Sequence, residues 1–182
     1  MKNRQMDVSD PKSLLELQSS FYQSRRATAL EKAVVLTLFI PLIMSSGGNS
    51  GSQATSLIIC ALAMREVALG HWWRIAAREL PSGLTLGAIL GVIGIVRITL
   101  WQSLGFYDYG THWPLVAITV GAALVGIVTF GSVTGSMLPF ALKRLGFDPA
   151  TASAPFVATL DDVTGLVIYF SIASLILSGT LL

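Results

Sequence analysis

The chain has 182 residues, of which 53% are hydrophobic and only 12% charged, where an ordinary soluble domain carries about 25% charged residues. A water-facing surface cannot be covered at that charge density, which argues against a soluble globular protein. The net charge of +2 comes with no basic stripe interleaved with aromatics, so a nucleic-acid partner is not expected. The composition is that of an integral membrane protein.

The charges are unevenly placed. Residues 1–32 hold ten of the 22, six basic and four acidic, and form a polar N-terminal segment; residues 33–182 form the transmembrane domain. The segment contains no continuous apolar run of the 7–15 residues that a signal peptide needs. Leu14, Leu15, Leu17, Phe21 and Tyr22 beside Arg25 and Arg26 suit either an interfacial amphipathic helix or a solvated tail. The single Cys60 cannot close an intrachain disulfide, so no bridge-stapled secreted scaffold is indicated.

The first membrane region, residues 33–64, reads as an interrupted segment. Residues 33–44 are apolar apart from Thr37, residues 45–53 are small and polar, and residues 57–64 are apolar again. Flanking runs of this length are too short to span separately. Non-helical backbone at membrane depth survives only where it lines a wet cavity or is buried in protein. The alternative is a surface loop between two short helices. Three further segments have spanning length: residues 82–104 with the single charge Arg97, residues 113–142, and residues 156–177 with Asp161 and Asp162 near the start. The pattern predicts an all-α, polytopic membrane helix bundle with an interrupted helix.

Basic residues set the orientation. Arg65, Arg74 and Arg78, and then Lys143 and Arg144, face the cytoplasm by the positive-inside rule. Between them residues 105–111 carry only Asp108, flanked by Trp101, Phe106, Tyr107, Tyr109 and Trp113, which is an outer loop in an aromatic belt. Parity then conflicts with the basic N-terminal segment. Either residues 33–64 enter and leave on one side, or an apolar helix ahead of them is missing. Arg97, four positions before Trp101, is expected to snorkel to the outer interface. Gly83, Gly87 and Gly91, with Gly131 and Gly135, recur every four positions, the spacing that lets helix backbones approach closely in a packed bundle or a dimer.

Asp161 and Asp162 carry the strongest chemical signal. A carboxylate at mid-membrane costs about 2.5–3.5 kcal/mol on insertion scales, so such groups face a polar path. Neighbours on a helix differ by about 100°, so one can point into a narrow path while the other faces a helix or the rim. Ala158, Asp162, Gly165 and Tyr169 are expected on one face. The competing reading places both at the cytoplasmic interface as helix N-terminal charges. Oxygen donors without His or Cys suit a hard cation. One Asp per chain, with Thr159, Asn49 and backbone carbonyls, would suffice for a hydrated magnesium ion. An enzyme reading rests on Gly48-Asn49-Ser50-Gly51, the GxSG pattern of an intramembrane serine protease. That chemistry needs a histidine beside the serine, whereas His71 and His112 lie in opposite flanking loops.

The stretch Pro41-Leu42-Ile43-Met44-Ser45-Ser46-Gly47-Gly48-Asn49-Ser50-Gly51-Ser52-Gln53 resembles the P-x(5)-GGN-x-G-x-Q motif of MgtE-type magnesium transporters. Leu145-Gly146-Phe147-Asp148-Pro149-Ala150, followed by Ser153-Ala154-Pro155-Phe156-Val157-Ala158-Thr159-Leu160-Asp161-Asp162-Val163-Thr164-Gly165, resembles that family's last helix and its approach. The resemblance covers nearly all of residues 33–182. It implies a homodimeric Mg2+ channel in the inner (plasma) membrane, its pore at the dimer interface. Asp162 would be the ion-binding carboxylate, with Asn49 and Ala158 beside the ion, whereas Asp161 falls where relatives commonly carry a non-acidic residue and is kept as a candidate metal-site residue from its place next to Asp162. Gly47, Gly48, Thr159 and Gly165 are expected to line the pore. It also implies five membrane helices behind a large cytoplasmic magnesium sensor, whereas about 32 residues precede the first span here. Acidic positions ahead of that span are taken by Arg25, Arg26 and Ala27, leaving Glu31. A non-transporting assembly subunit and a cation-coupled solute transporter are the alternatives from other classes.

Overall fold

The computed structural model describes residues 34–151 and 154–178, together with the pair 18–19. The proposed amphipathic face at residues 14–22 and the acidic or basic positions at 25–31 therefore lie outside the described residues, apart from that pair. Four helices follow one another: α1 (Ile40–Ala63), α2 (Trp72–Ser103), α3 (Trp113–Arg144) and α4 (Ala154–Leu177). Short 3-10 turns at Leu69–His71 and Pro149–Thr151 lead into α2 and α4. All four helices are long and apolar enough to cross a membrane, the first span running from Val34 to Ala63.

The first region corrects the expectation of a break at residues 45–53. That stretch is helical throughout. Its side chains return hydrogen bonds to their own helix, Ser46 to the Leu42 carbonyl, Thr55 to that of Gly51, Ser56 to that of Ser52. Gly47, Gly48, Ser50 and Gly51 are meanwhile buried by neighbouring helices. The ladder thus needs no water, and nothing forces it open. The discontinuity lies earlier, in a turn at Leu38–Phe39. Pro41 follows it and has no N–H to offer the Thr37 carbonyl. Residues 34–63 are thus long and apolar enough for one crossing, and their near-continuous helix does not have the form of a segment that enters and leaves on one side.

Helix α3 is the hub, packing against α1, α2 and α4, whereas α2 packs chiefly on α3. The α2–α3 contact brings backbone close to backbone. A Cβ on Gly87 would stand 2.8 Å from Val125 Cα, and one on Gly91 would stand 2.9 Å from the Gly121 carbonyl oxygen. Polar pins join α1 to α3: the Ser50 and Ser132 hydroxyls pair at 2.6 Å, and Thr55 donates to the Gly135 carbonyl at 2.8 Å. Val116, Val120, Leu124, Ile127 and Val128 of α3 fill the interior.

The two ends are closed differently. At the end formed by the loop between α2 and α3, Phe39, Tyr107 and Tyr109 stack together. Asp108 accepts from the Gly110 N–H and the Gln102 amide, which holds its carboxyl below the usual range. Arg97 lies 4.4 Å over the Trp101 ring. At the end that holds Arg65 and Lys143, Ile58, Leu62 and Phe140 gather Val67, Ile75 and Met137 around them.

Candidate ion site on the α1–α4 face

Helix α4 has no acidic residue in its first turn. Asp161 and Asp162 come two turns in, about 12 Å along the axis, so they are not N-terminal helix charges. A buried stripe runs down α4 every four residues: Val157, Asp161, Gly165, Tyr169, Ala173 and Leu177. Asp161 thus occupies a core position, 1% exposed. Its carboxylate lies against two glycine backbones, where a Cβ on Gly51 would overlap it and one on Gly131 would stand 3.2 Å from Oδ2. Neither of its oxygens has a hydrogen-bond partner among the described residues.

Asp162, rotated by about 100°, is partly exposed at the edge of the α1–α4 contact. There the bare backbone of Gly48 makes room for it. A Cβ on Gly48 would stand 3.4 Å from Asp162 Oδ1 and 3.5 Å from Ala158 Cβ. The expected grouping of Ala158, Asp162, Gly165 and Tyr169 on one face is therefore corrected. Ala158 and Asp162 flank the buried stripe, while Gly165 and Tyr169 belong to it with Asp161. Gly47 and Gly165, expected along the pore, are both buried against Ile127 of α3.

Asn49 is exposed beside Gly48, and its amide N donates to Ser45 Oγ at 3.3 Å. Its amide oxygen is thereby left as the acceptor. Thr159 is exposed, with its hydroxyl returned to the Pro155 carbonyl. Ser45 and Gln53, quoted from the sequence only as part of the polar stretch, and Ser56, outside it, are exposed on α1 and share a polar row with Asn49. Their spacing of three or four within an apolar helix was the available signal. Among the described residues no three His, Cys, Asp or Glu side chains come together. A stripped, inner-sphere metal ion thus finds no cage in one chain, while a hydrated ion needs only a carboxylate and neutral acceptors.

The protease reading fails on geometry. Ser50 is buried between α1 and α3 and bonded to Ser132, with His71 in the 3-10 turn before α2 and His112 at the start of α3.

The MgtE family model, described as a divalent cation transporter, matches residues 40–172. The chain belongs to the MgtE family. This is a family of transporters, not of enzymes. The magnesium transporter MgtE of Thermus thermophilus is 43% identical over 152 residues, covering 84% of this chain and 32% of that protein. The magnesium transporter MgtE of Enterococcus faecalis is 33% identical over the same coverage, and that of Bacillus subtilis 30% identical over 146 residues, 80% of this chain and 30% of that protein. The chain thus spans about a third of the length of these curated MgtE relatives.

Proposed function

We propose that residues 33–182 form the transmembrane channel domain of a magnesium transporter of the inner (plasma) membrane, passing hydrated Mg2+ down its electrochemical gradient. The observation that carries this reading is the partly exposed carboxylate of Asp162, set two turns into α4 beside the side-chain-free backbone of Gly48. A carboxylate at that depth is stable where it meets water or a cation and costly where it meets lipid. The exposed row of Ser45, Asn49, Gln53 and Ser56 on α1 supports the same conclusion, since this face carries acceptors that acyl chains cannot satisfy.

Two copies related by a twofold axis bring two such faces together, enclose the path and place one Asp162 on each side of it. Mg2+ releases water reluctantly, so the ion travels with its shell. The two carboxylates attract the dication and accept hydrogen bonds from its waters. The Asn49 amide oxygen and the Ala158 carbonyl add neutral acceptors, and Thr159 stands at the rim. Asp161 lies behind Asp162 and fixes the fit of α4 on α1 rather than touching the ion. Other divalent cations with a comparable shell compete, and monovalent cations gain less from a pair of carboxylates.

Flux of Mg2+ into liposomes holding the purified chain tests this. Asp162→Asn is expected to lower the flux at least about tenfold, and copies carrying Asp162→Cys to cross-link across the axis. Unchanged flux in Asp162→Asn, or a conducting protein whose copies never cross-link there, overturns it. Competition by Ca2+ and Na+ in the same assay reports the selectivity.

A further inference from the structure

Helix α2 is longer than the hydrocarbon layer is thick. Its 32 residues rise about 48 Å, against about 30 Å of hydrocarbon. The outer end is fixed at the interface by Trp101 under the Arg97 guanidinium. Counting back about 20 residues leaves residues 72–81 in the cytoplasmic headgroup layer. Pro81 marks the boundary, lacking an N–H for the Ala77 carbonyl.

This first stretch of α2 is built for that layer. Trp72 and Trp73 are 43% and 66% exposed and meet edge to face with ring centroids 5.6 Å apart. Arg74 and Arg78 are exposed and, four residues apart, share one side of the helix. Ile75, between them, packs into the cluster with Phe140 and Met137. That contact brings the turn against the end of α3, where Lys143 and Arg144 are exposed. Arg65 joins from just past α1, in a left-handed backbone conformation (φ 57°) one turn beyond Leu62 of the same cluster. The acids of this corner are Glu66, which is exposed, Glu79, partly buried beside Ser136 of α3, and Asp148, whose carboxylate accepts from the Ala150 N–H. Among the described residues none of the five cations is held in an ion pair.

We propose that this corner binds the headgroup of an anionic phospholipid, with Arg74 and Arg78 gripping the phosphate and Lys143 and Arg144 completing the site across the helix boundary. Guanidinium groups match phosphate oxygens with paired hydrogen bonds. The two tryptophans lie at the border of headgroup and chain, where amphipathic rings are most stable. Basic clusters between helices on the cytoplasmic side select anionic headgroups, because the cation of a zwitterionic headgroup is repelled by the same side chains. A lipid seated here clasps the end of α2 to α3. The inference rests on the membrane placement of α2 and is independent of the transport reading.

The full chain, purified in mild detergent and presented with phosphatidylglycerol or phosphatidylcholine, is examined by native mass spectrometry for retained lipid. Phosphatidylglycerol is expected to be retained preferentially. Retention should fall about tenfold in Arg74→Gln/Arg78→Gln and also fall at raised salt, while Arg97→Gln at the opposite end leaves it unchanged. Lys143→Gln/Arg144→Gln gives the same readout on a different helix should the first variant not fold, and the lipid preference of the unaltered chain stands without either. Equal retention of the two lipids, retention indifferent to both double variants, or displacement by inorganic phosphate alone overturns the proposal.

Discussion

Asp161 and Asp162 differ by one position and meet opposite surroundings. The turn of the helix sends one carboxylate into a bed of glycine backbone and leaves the other at an open edge. That an adjacent pair must divide in this way follows from the helix pitch, and it was legible in the sequence. What lies beneath Asp161 was not, because Gly51 and Gly131 come from helices distant in the chain. The fit there is tight enough to test. Gly51→Ala is expected to destabilise the bundle by about 1–3 kcal/mol, since the new methyl collides with the Asp161 carboxylate and stands 3.1 Å from Val157 Cγ1. Asp161→Ala in the same chain removes the main obstacle. The double variant should therefore be more stable than the sum of the two single changes by at least about 1 kcal/mol. Equilibrium unfolding in lipid-containing micelles measures the cycle, and simple additivity would contradict the packing described here.

At the scale of elements, α2, α3 and α4 could be read from apolar length and their flanking charges, because a span announces itself by what it lacks. Sequence reading went wrong at α1. Nine small polar residues look like a loop when only propensity is weighed, yet hydroxyls that bond back to the preceding turn, and glycines covered by α3 and α4, keep the helix intact. The true discontinuity, beside Pro41, carried a weaker compositional signal. The glycines divide by what faces them. At Gly87 an added Cβ meets the Val125 backbone at 2.8 Å, and backbone cannot give way. At Gly126 it meets only Ile168 and Ile172 side-chain ends, at 3.4 and 3.7 Å. Gly87→Ala should cost about 1–3 kcal/mol, whereas Gly126→Ala should be neutral or stabilise by up to about 1 kcal/mol through helix propensity. Thermal unfolding of the two variants side by side distinguishes them, and equal effects would argue that α2 and α3 do not touch along this seam.

For the whole molecule, four single crossings fix which ends share a side. Arg65 and Arg144 lie at one end of the bundle, which the positive-inside rule assigns to the cytoplasm, while the loop around Asp108 and the end of α4 lie at the other. In a Cys60→Ser background, Arg144→Cys should react with an impermeant thiol reagent only from the cytoplasmic side, and Ser178→Cys only from the other. Labelling of both from one side would break the assignment. Which ends share a side was legible from the spacing of the apolar spans, except at the N-terminal side of α1, where the counting of crossings depended on whether residues 33–64 pass through or turn back.

The two seams on α3 are fastened in unlike ways, and this has a mechanical consequence. Helix α1 is riveted to α3 by side-chain hydrogen bonds that hold one register. Helix α2 meets α3 by close backbone approach at Gly87 and Gly91 and by side chains seated over glycines, Ile95 on Gly121 and Ser132 on Gly83. Losing a hydroxyl loosens the first seam, whereas gaining a methyl wedges the second apart.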